Sequence, residues 1–390
     1  MSNEWVIDAD AHVTEPADLW SSRLPRKLRD KGPIMIRDDD GVDWWQLGEN
    51  KPFASVGMTA TAGWSEPFPS HPKNMDDVPL ASWDPQARLA YLDSIGVWSQ
   101  VLYPNVAGFG SQQFLLLKDP ELMLACVMAY NDFLVEWCSV DSRRLIPVMA
   151  TPFWDVKATV GEIERCAARG HRGVLFTGEP QVFDMPWMGD QHWDPVWAAA
   201  QDAGLSISFH LGSGDFSKGF AEARVEAYGI CAVRVASTVD LFLGNASQVV
   251  DLLCSGVLAR FPRLKFISVE SGIGAIPFIL EAADYTFEDS HVWRERPYFD
   301  MKPSEYFRRQ VYATWFFERD TVPHVIDKIG ADRILFETDY PHPVCLYGNV
   351  REHIHTALAG QPGDVRQRIL WENSAELYRV EQPQDAPALV

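Results

Sequence analysis

The chain has 390 residues, 47% of them hydrophobic with 15 Trp and 21 Phe, enough for a large core and the right length for one α/β barrel carrying an insertion. Lys+Arg 34 against Asp+Glu 54 leave a net charge of −20, which argues against nucleic acid and anionic membrane surfaces, since both select a basic face. The start "MSNEW" has neither a basic nor an apolar leader region, and apolar runs such as "QFLLL" and "LACVMA" fall far short of the roughly 20 residues of a membrane span. Six cysteines (126, 138, 166, 231, 254 and 345) occur singly, without C-x-x-C, and read as buried free thiols. A cytoplasmic protein acting on a small molecule is expected.

In chain order, short apolar runs alternate with helical patterns. Strands are predicted at 4–12, 99–104, 145–153, 173–178, 205–212, 264–271, 310–317 and 333–340. Nearly all are continuously hydrophobic, as in parallel sheets buried on both faces. Three intervening helices carry recognisable ends. "WDPQARLAYLDSIG" places Asp84 as N-cap before Pro85 and stops at Gly96. "WDVKATVGEIERCAARG" runs over 154–170 to Gly170, and "WDPVWAAAQDAG" repeats the Asp-Pro device with Asp194 and Gly204. Eight β-then-α units favour a (β/α)8 TIM barrel over an open doubly wound sheet.

One stretch breaks the rhythm. Residues 14–83, rich in Pro, Gly, Trp and acids, are too many for a plain loop. An inserted subdomain over the barrel mouth is expected there, with a small hairpin at "IRDDDGVDWW". The barrel is assigned to 1–380, and the tail "EQPQDAPALV" (381–390) is expected to fray.

In a parallel barrel the carboxyl ends of all strands open on one face, where active sites sit. The first strand, "VIDADAH", ends in Asp10 and His12, which lie two apart and therefore point to the same side. The fifth ends in His210, the sixth in Glu270 and the eighth in Asp339, with His342 just beyond. Burying such a set without compensation costs several kcal/mol per charge. A divalent metal resolves this by taking imidazole and carboxylate ligands together. Asp10, His12, His210 and Asp339 are the primary ligand candidates. Glu270 is expected to be a ligand or a catalytic acid/base, and His342 to orient Asp339 or contact substrate. Glu15 reads as a brace of its turn and Glu179 as solvated. His171, at the entrance of strand four, reads as structural, and His192 as a packing residue. Trp64 and Trp315 are candidate pocket residues.

"DADAHVTEPADLW", "SFHLGSG", "RFPRLKFISVESGIGAIP" and "RILFETDYPHP" resemble the amidohydrolase-2 branch of the amidohydrolase superfamily, which includes aminocarboxymuconate-semialdehyde and resorcylate decarboxylases. The resemblance spans nearly the whole chain outside the insertion. It implies a metal-dependent barrel whose ligand positions fall on Asp10, His12, His210 and Asp339. Many relatives open on His-x-His or Glu-x-His where this chain has Asp10, and carry histidine at the end of strand six where this chain has Glu270.

A hydrolase or decarboxylase is therefore expected, holding zinc, manganese or iron as one or two ions, with Asp339 as the proton carrier. Exchanging a histidine for Glu270 leaves two imidazoles and three carboxylates, hospitable to iron and manganese. A dinuclear oxygenase is therefore the alternative, and a non-catalytic subunit beside an active paralogue is a third. The apolar helices and aromatic-rich insertion lead us to expect a homo- or hetero-oligomer.

Overall fold

The computed structural model describes residues 4–214 and 219–383; most of the tail expected to fray lies outside them. Eight parallel strands run in sequence order: β1 (Ile7–His12), β2 (Ser99–Tyr103), β3 (Leu145–Met149), β4 (Gly173–Leu175), β5 (Ser206–His210), β6 (Phe266–Val269), β7 (Val311–Trp315) and β8 (Ile334–Phe336). All lie within the eight predicted runs but are shorter, because the polar residues that end each run belong to the rim. The chain beyond β8 closes the barrel: His12 N–H donates to Tyr340 O and Asp339 N–H to Asp10 O. Every residue of these strands is buried, which explains why most read as continuous apolar runs.

Helix boundaries follow local chemistry. Asp84 accepts Ala87 N–H ahead of Pro85–Ile95, and Gly96 ends that helix at φ 70°. Asp155 caps Val156–Arg169 through Ala158 N–H. The third cap is a correction. Asp194 lies inside the helix Asp194–Ala203 as its first residue, and its carboxylate is drawn to the Arg260 guanidinium at 2.9 Å instead. Cysteines also divide: Cys126, Cys138 and Cys166 are buried, whereas Cys231 and Cys254 are exposed and Cys345 is half-buried.

Between β1 and the first barrel helix, Pro33–Arg37 and Asp43–Leu47 pair antiparallel as the expected hairpin, and Ala54–Ser55 adds a third short strand. This sheet leans on the barrel through Trp45, whose ring meets Trp20 edge-on at 5.2 Å. Trp20 in turn reaches Phe114 and donates its indole N–H to Cys126 O. Among the described residues one helical stretch, Pro120–Asp141, is long and apolar enough to cross a membrane. It packs Cys126, Val127, Tyr130 and Leu134 into the barrel core instead. The 25-residue helix Ile230–Cys254 buries one face and leaves Val235, Val239 and Leu243, spaced four apart, 67, 48 and 58% exposed.

Candidate metal centre

The rim side chains meet in the barrel. Asp10 and His12 leave β1 on the same side, His210 ends β5, Glu270 follows β6, and Asp339 lies three residues past β8. Glu270 and Asp339 both sit in the left-handed backbone region, φ 59° and 58°. That conformation is uncommon for side-chain-bearing residues and is often found at functional sites. It turns both carboxylates off the strand direction and into the barrel mouth.

The contacts are close. His12 Nε2 is 3.2 Å from His210 Nε2, 3.5 Å from Asp10 Oδ1 and 3.4 Å from Asp339 Oδ1. His210 Nε2 is 3.4 Å from Asp10 Oδ2. The other ring nitrogens fix the tautomers. His12 Nδ1 faces Pro104 O at 3.1 Å and His210 Nδ1 faces Leu211 O at 2.8 Å. A carbonyl only accepts, so each Nδ1 carries the hydrogen and each Nε2 presents a lone pair to the shared point. Both oxygens of Asp10 and Oδ2 of Asp339 are buried without a hydrogen bond. Two facing imidazole lone pairs ringed by orphaned carboxylate oxygens form a donor set for a cation, and the residues present fit a divalent metal.

Electrostatics agrees. Burial raises Asp10, Asp339 and Glu337 above the usual carboxylate range and takes Glu270 to about 8. Burial also pushes His12 well down, helped by His342 and His210. It acts the same way on His210, but Asp10 beside that ring carries it above its ordinary value. Metal-free, the cluster holds its charge only by taking up protons.

Glu270 and His342, assigned from sequence as catalytic candidates, both reach the cluster. Glu270 Oε2 lies 3.7 Å from His210 Nδ1, and Glu270 groups with Asp10 and Asp339 as possible ligands of one ion. His342 stacks on His12 with ring centres 3.8 Å apart, and its Nδ1 is 2.7 Å from Asp339 Oδ1. Its Nε2 bonds Asn105 Oδ1, and Asn105 Nδ2 donates to Val13 O. Glu15 holds this turn from beneath: its Oε1 accepts the N–H groups of Asn105 and Val106.

Four groups escaped the sequence reading. Asp8, two residues before Asp10 but separated from it by an irregularity in β1 between Asp8 and Ala11, accepts bonds from Thr338 and Gln100 and is raised by burial to about 7. Glu337, two before Asp339, accepts Glu270 N–H. The period-two spacing that singled out Asp10 and His12 also marks Glu337, but the irregularity in β1 breaks it at Asp8. Asn105 and the buried Arg88, which donates to His12 O and Gln100 Oε1, carry no such signal, because each joins the site from another element.

Other expectations fall elsewhere. Trp315 is not a pocket residue: it is fully buried and donates to Glu318 O. Glu179 is not simply solvated, since its Oε2 accepts Gln248 Nε2 beside a separate cavity. His171 is buried at the barrel's far end against Cys166 O, and His192 packs on Trp193. Trp64 does line a cavity. Together with Phe68, Leu211 and Arg234 it encloses about 300 Å³ whose walls include Glu270 and His342. Arg234 lies over the Phe68 ring at 4.4 Å and donates to Pro343 O.

A family profile described as "Amidohydrolase" matches residues 7–380. Gamma-resorcylate decarboxylase of Polaromonas sp. (strain JS666 / ATCC BAA-500) is 27% identical over 312 residues, covering 75% of this chain and 86% of that one. The enzyme of the same name from Rhizobium sp. (strain MTP-10005) is 25% identical over 268 residues, covering 65% and 76%. Among solved structures, an amidohydrolase from Mycobacterium avium subsp. paratuberculosis K-10 superposes with a TM-score of 0.77 at 24% identity, covering 97% of this chain and 100% of that one. A dihydroxybenzoic acid decarboxylase from Polaromonas sp. JS666, solved with bound manganese and the inhibitor 2-nitroresorcinol, gives 0.60 at 18% identity, covering 98% of each chain. At these identities both structures speak for the shared barrel.

Proposed function

The chain belongs to the amidohydrolase family, and from that premise we propose that it is a metal-dependent decarboxylase of a small aromatic carboxylate. Its cofactor is a divalent cation on Asp10, His12, His210 and Asp339. The observation that carries this reading is the aromatic-walled cavity whose lining includes Glu270 and His342, directly beside the paired imidazoles and orphaned carboxylates. The similarity to resorcylate decarboxylases supports the carboxylate substrate, and manganese in a related structure favours that metal over zinc or iron.

When bound, the cation supplies the positive charge that holds and polarises a substrate carboxylate and its neighbouring oxygen. The chain supplies the rest. Trp64 and Phe68 offer flat faces to a ring and exclude water. Arg234, with no carboxylate partner among the described residues, is free to receive a polar or anionic ring substituent. Losing carbon dioxide leaves the bond's electron pair on the ring carbon, which must then take a proton. The pair formed by Asp339 Oδ1 and His342 Nδ1, 2.7 Å apart on the cavity wall, is placed to hold and deliver it. A hydrolase in which Asp339 takes a proton from water is the second reading, since family membership supports it equally.

The test is carbon dioxide release from a panel of hydroxybenzoates by manganese-loaded protein. Release that requires both the metal and His342 supports the decarboxylase. Metal-loaded protein that releases none from any of them, yet cleaves esters, amides or lactones, overturns it in favour of the hydrolase.

A further inference from the structure

The long helix Ile230–Cys254 carries a glycine, Gly244, that no packing contact requires. Glycine weakens a helix interior, and a Cβ built on Gly244 meets no heavy atom within 4 Å. What lies in front of it is space. Ser237, Asp240, Leu241, Gly244, Asn245 and Gln248, spaced three and four apart, form one face of this helix, and that face lines a cavity of about 340 Å³. A side chain at position 244 would stand in the middle of that wall. Phe220 and Leu241 line both this cavity and the aromatic-walled one beside the metal centre, so the two chambers share a partition.

Asn245 supplies a second, independent observation. It is 2% exposed, and its Nδ2 donates to Ser268 Oγ at 3.1 Å and to Val269 O at 3.0 Å. A carbonyl only accepts, which fixes the amide nitrogen on that side and leaves Asn245 Oδ1 as a buried acceptor without a partner. The donors of the wall are committed. Arg224 is paired with Asp240 at 3.0 Å, Ser237 Oγ donates to Gly219 O at 2.7 Å, and Gln248 Nε2 donates to Glu179 Oε2 at 3.3 Å. The open capacity of the chamber is therefore that of an acceptor. Two carboxylates against one guanidinium among its described lining residues disfavour an anion there.

We propose that this chamber is the far part of the substrate site. It receives a side arm of the aromatic acid that passes the Phe220–Leu241 partition and ends in a neutral hydrogen-bond donor, a hydroxyl or an amide N–H. The proposal rests on the decarboxylase reading above and narrows its substrate class from a bare ring acid to one bearing such an arm. Gly244 is the specificity-determining position, because it keeps the room the arm needs.

The experiment is calorimetric binding to manganese-loaded protein of salicylate and of salicylates bearing a hydroxypropyl, propyl or carboxyethyl arm at each free ring position. The best hydroxypropyl acid is expected to bind about tenfold more tightly than salicylate, an amount that a few buried methylenes and one net hydrogen bond supply. The propyl arm is expected to gain less, and the carboxyethyl arm nothing. Gly244→Leu, or Gly244→Met should the leucine variant misfold, fills the chamber and is expected to bring the ratio of the two dissociation constants to about one. Wild-type protein that binds no arm-bearing acid more tightly than salicylate overturns the inference. So does a carboxyethyl arm that gains as much as the hydroxypropyl, or a Gly244 variant that keeps the wild-type ratio. Carbon dioxide release is read on the same acids: arm-dependent binding without release overturns the decarboxylase reading and leaves the chamber's role standing. Protein that binds none of the acids overturns both.

Discussion

Glu15 is a carboxylate buried as a structural clamp, and Glu15→Gln tests what that burial costs. Burial raises its carboxyl to about 7 against the bonds from Asn105 and Val106 that favour the charge. Below its ordinary 4.5 the group is protonated folded or unfolded. Between 4.5 and about 7 the unfolded chain releases the proton while the folded chain keeps it, so stability falls as pH rises. Above about 7 both forms are ionised and the loss is complete. At about 1.4 kcal/mol for each tenfold change in proton affinity, the loss comes to about 3 kcal/mol. Glutamine keeps an oxygen for the two backbone donors but cannot ionise. Denaturant unfolding of metal-free wild type and variant across pH 4.5–8 is therefore expected to show Glu15→Gln gaining on wild type by about 3 kcal/mol toward pH 8. Parallel curves would show that Glu15 titrates alike in both states, and the account of a buried charge under the Asn105 turn would be wrong.

His12→Ala and His210→Ala are each expected to lose most bound metal, at least tenfold in affinity, with an unchanged far-ultraviolet spectrum; full occupancy by elemental analysis in both variants would refute the ligand assignment. The exposed apolar row Val235, Val239 and Leu243 is expected to pack against a second chain. Sedimentation should give an oligomer for wild type, and Val239→Glu should move it toward the 44.0 kDa monomer; a wild-type monomer at micromolar concentration would count against this.

Much of this was legible before any coordinates, for reasons that vary by residue. Most strands buried on both faces announce themselves as apolar runs, and each of the eight lies within a predicted one. The polar residue that breaks such a run at its carboxyl end marks the rim, and that exposed Asp10, His12, His210, Glu270 and Asp339. What stayed hidden is tertiary. Asp194 carries the same Asp-Pro signature as Asp84, yet Arg260, distant in sequence, draws its carboxylate away from the helix end. Trp315 and Trp64 look alike as letters; one is pinned to Glu318 O and the other faces the cavity. Asn105 acquires its place only because β2 lies beside β1 in the closed sheet.

Closure of the barrel by the first strand against the chain beyond the eighth has a consequence for biosynthesis. Asp10 and His12 leave the ribosome some 330 residues before the segment that completes their surroundings, as the Asp8–Thr338 bond measures. At roughly 5–20 residues per second that delay is about a quarter of a minute to a minute. Through it the amino-terminal half of the donor set has no enclosing wall and the carboxylate from Asp339 does not yet exist. A metal held by the full donor set would thus be loaded only after Asp339 has been made, and a ribosome stalled before it would hold a donor set short of that carboxylate.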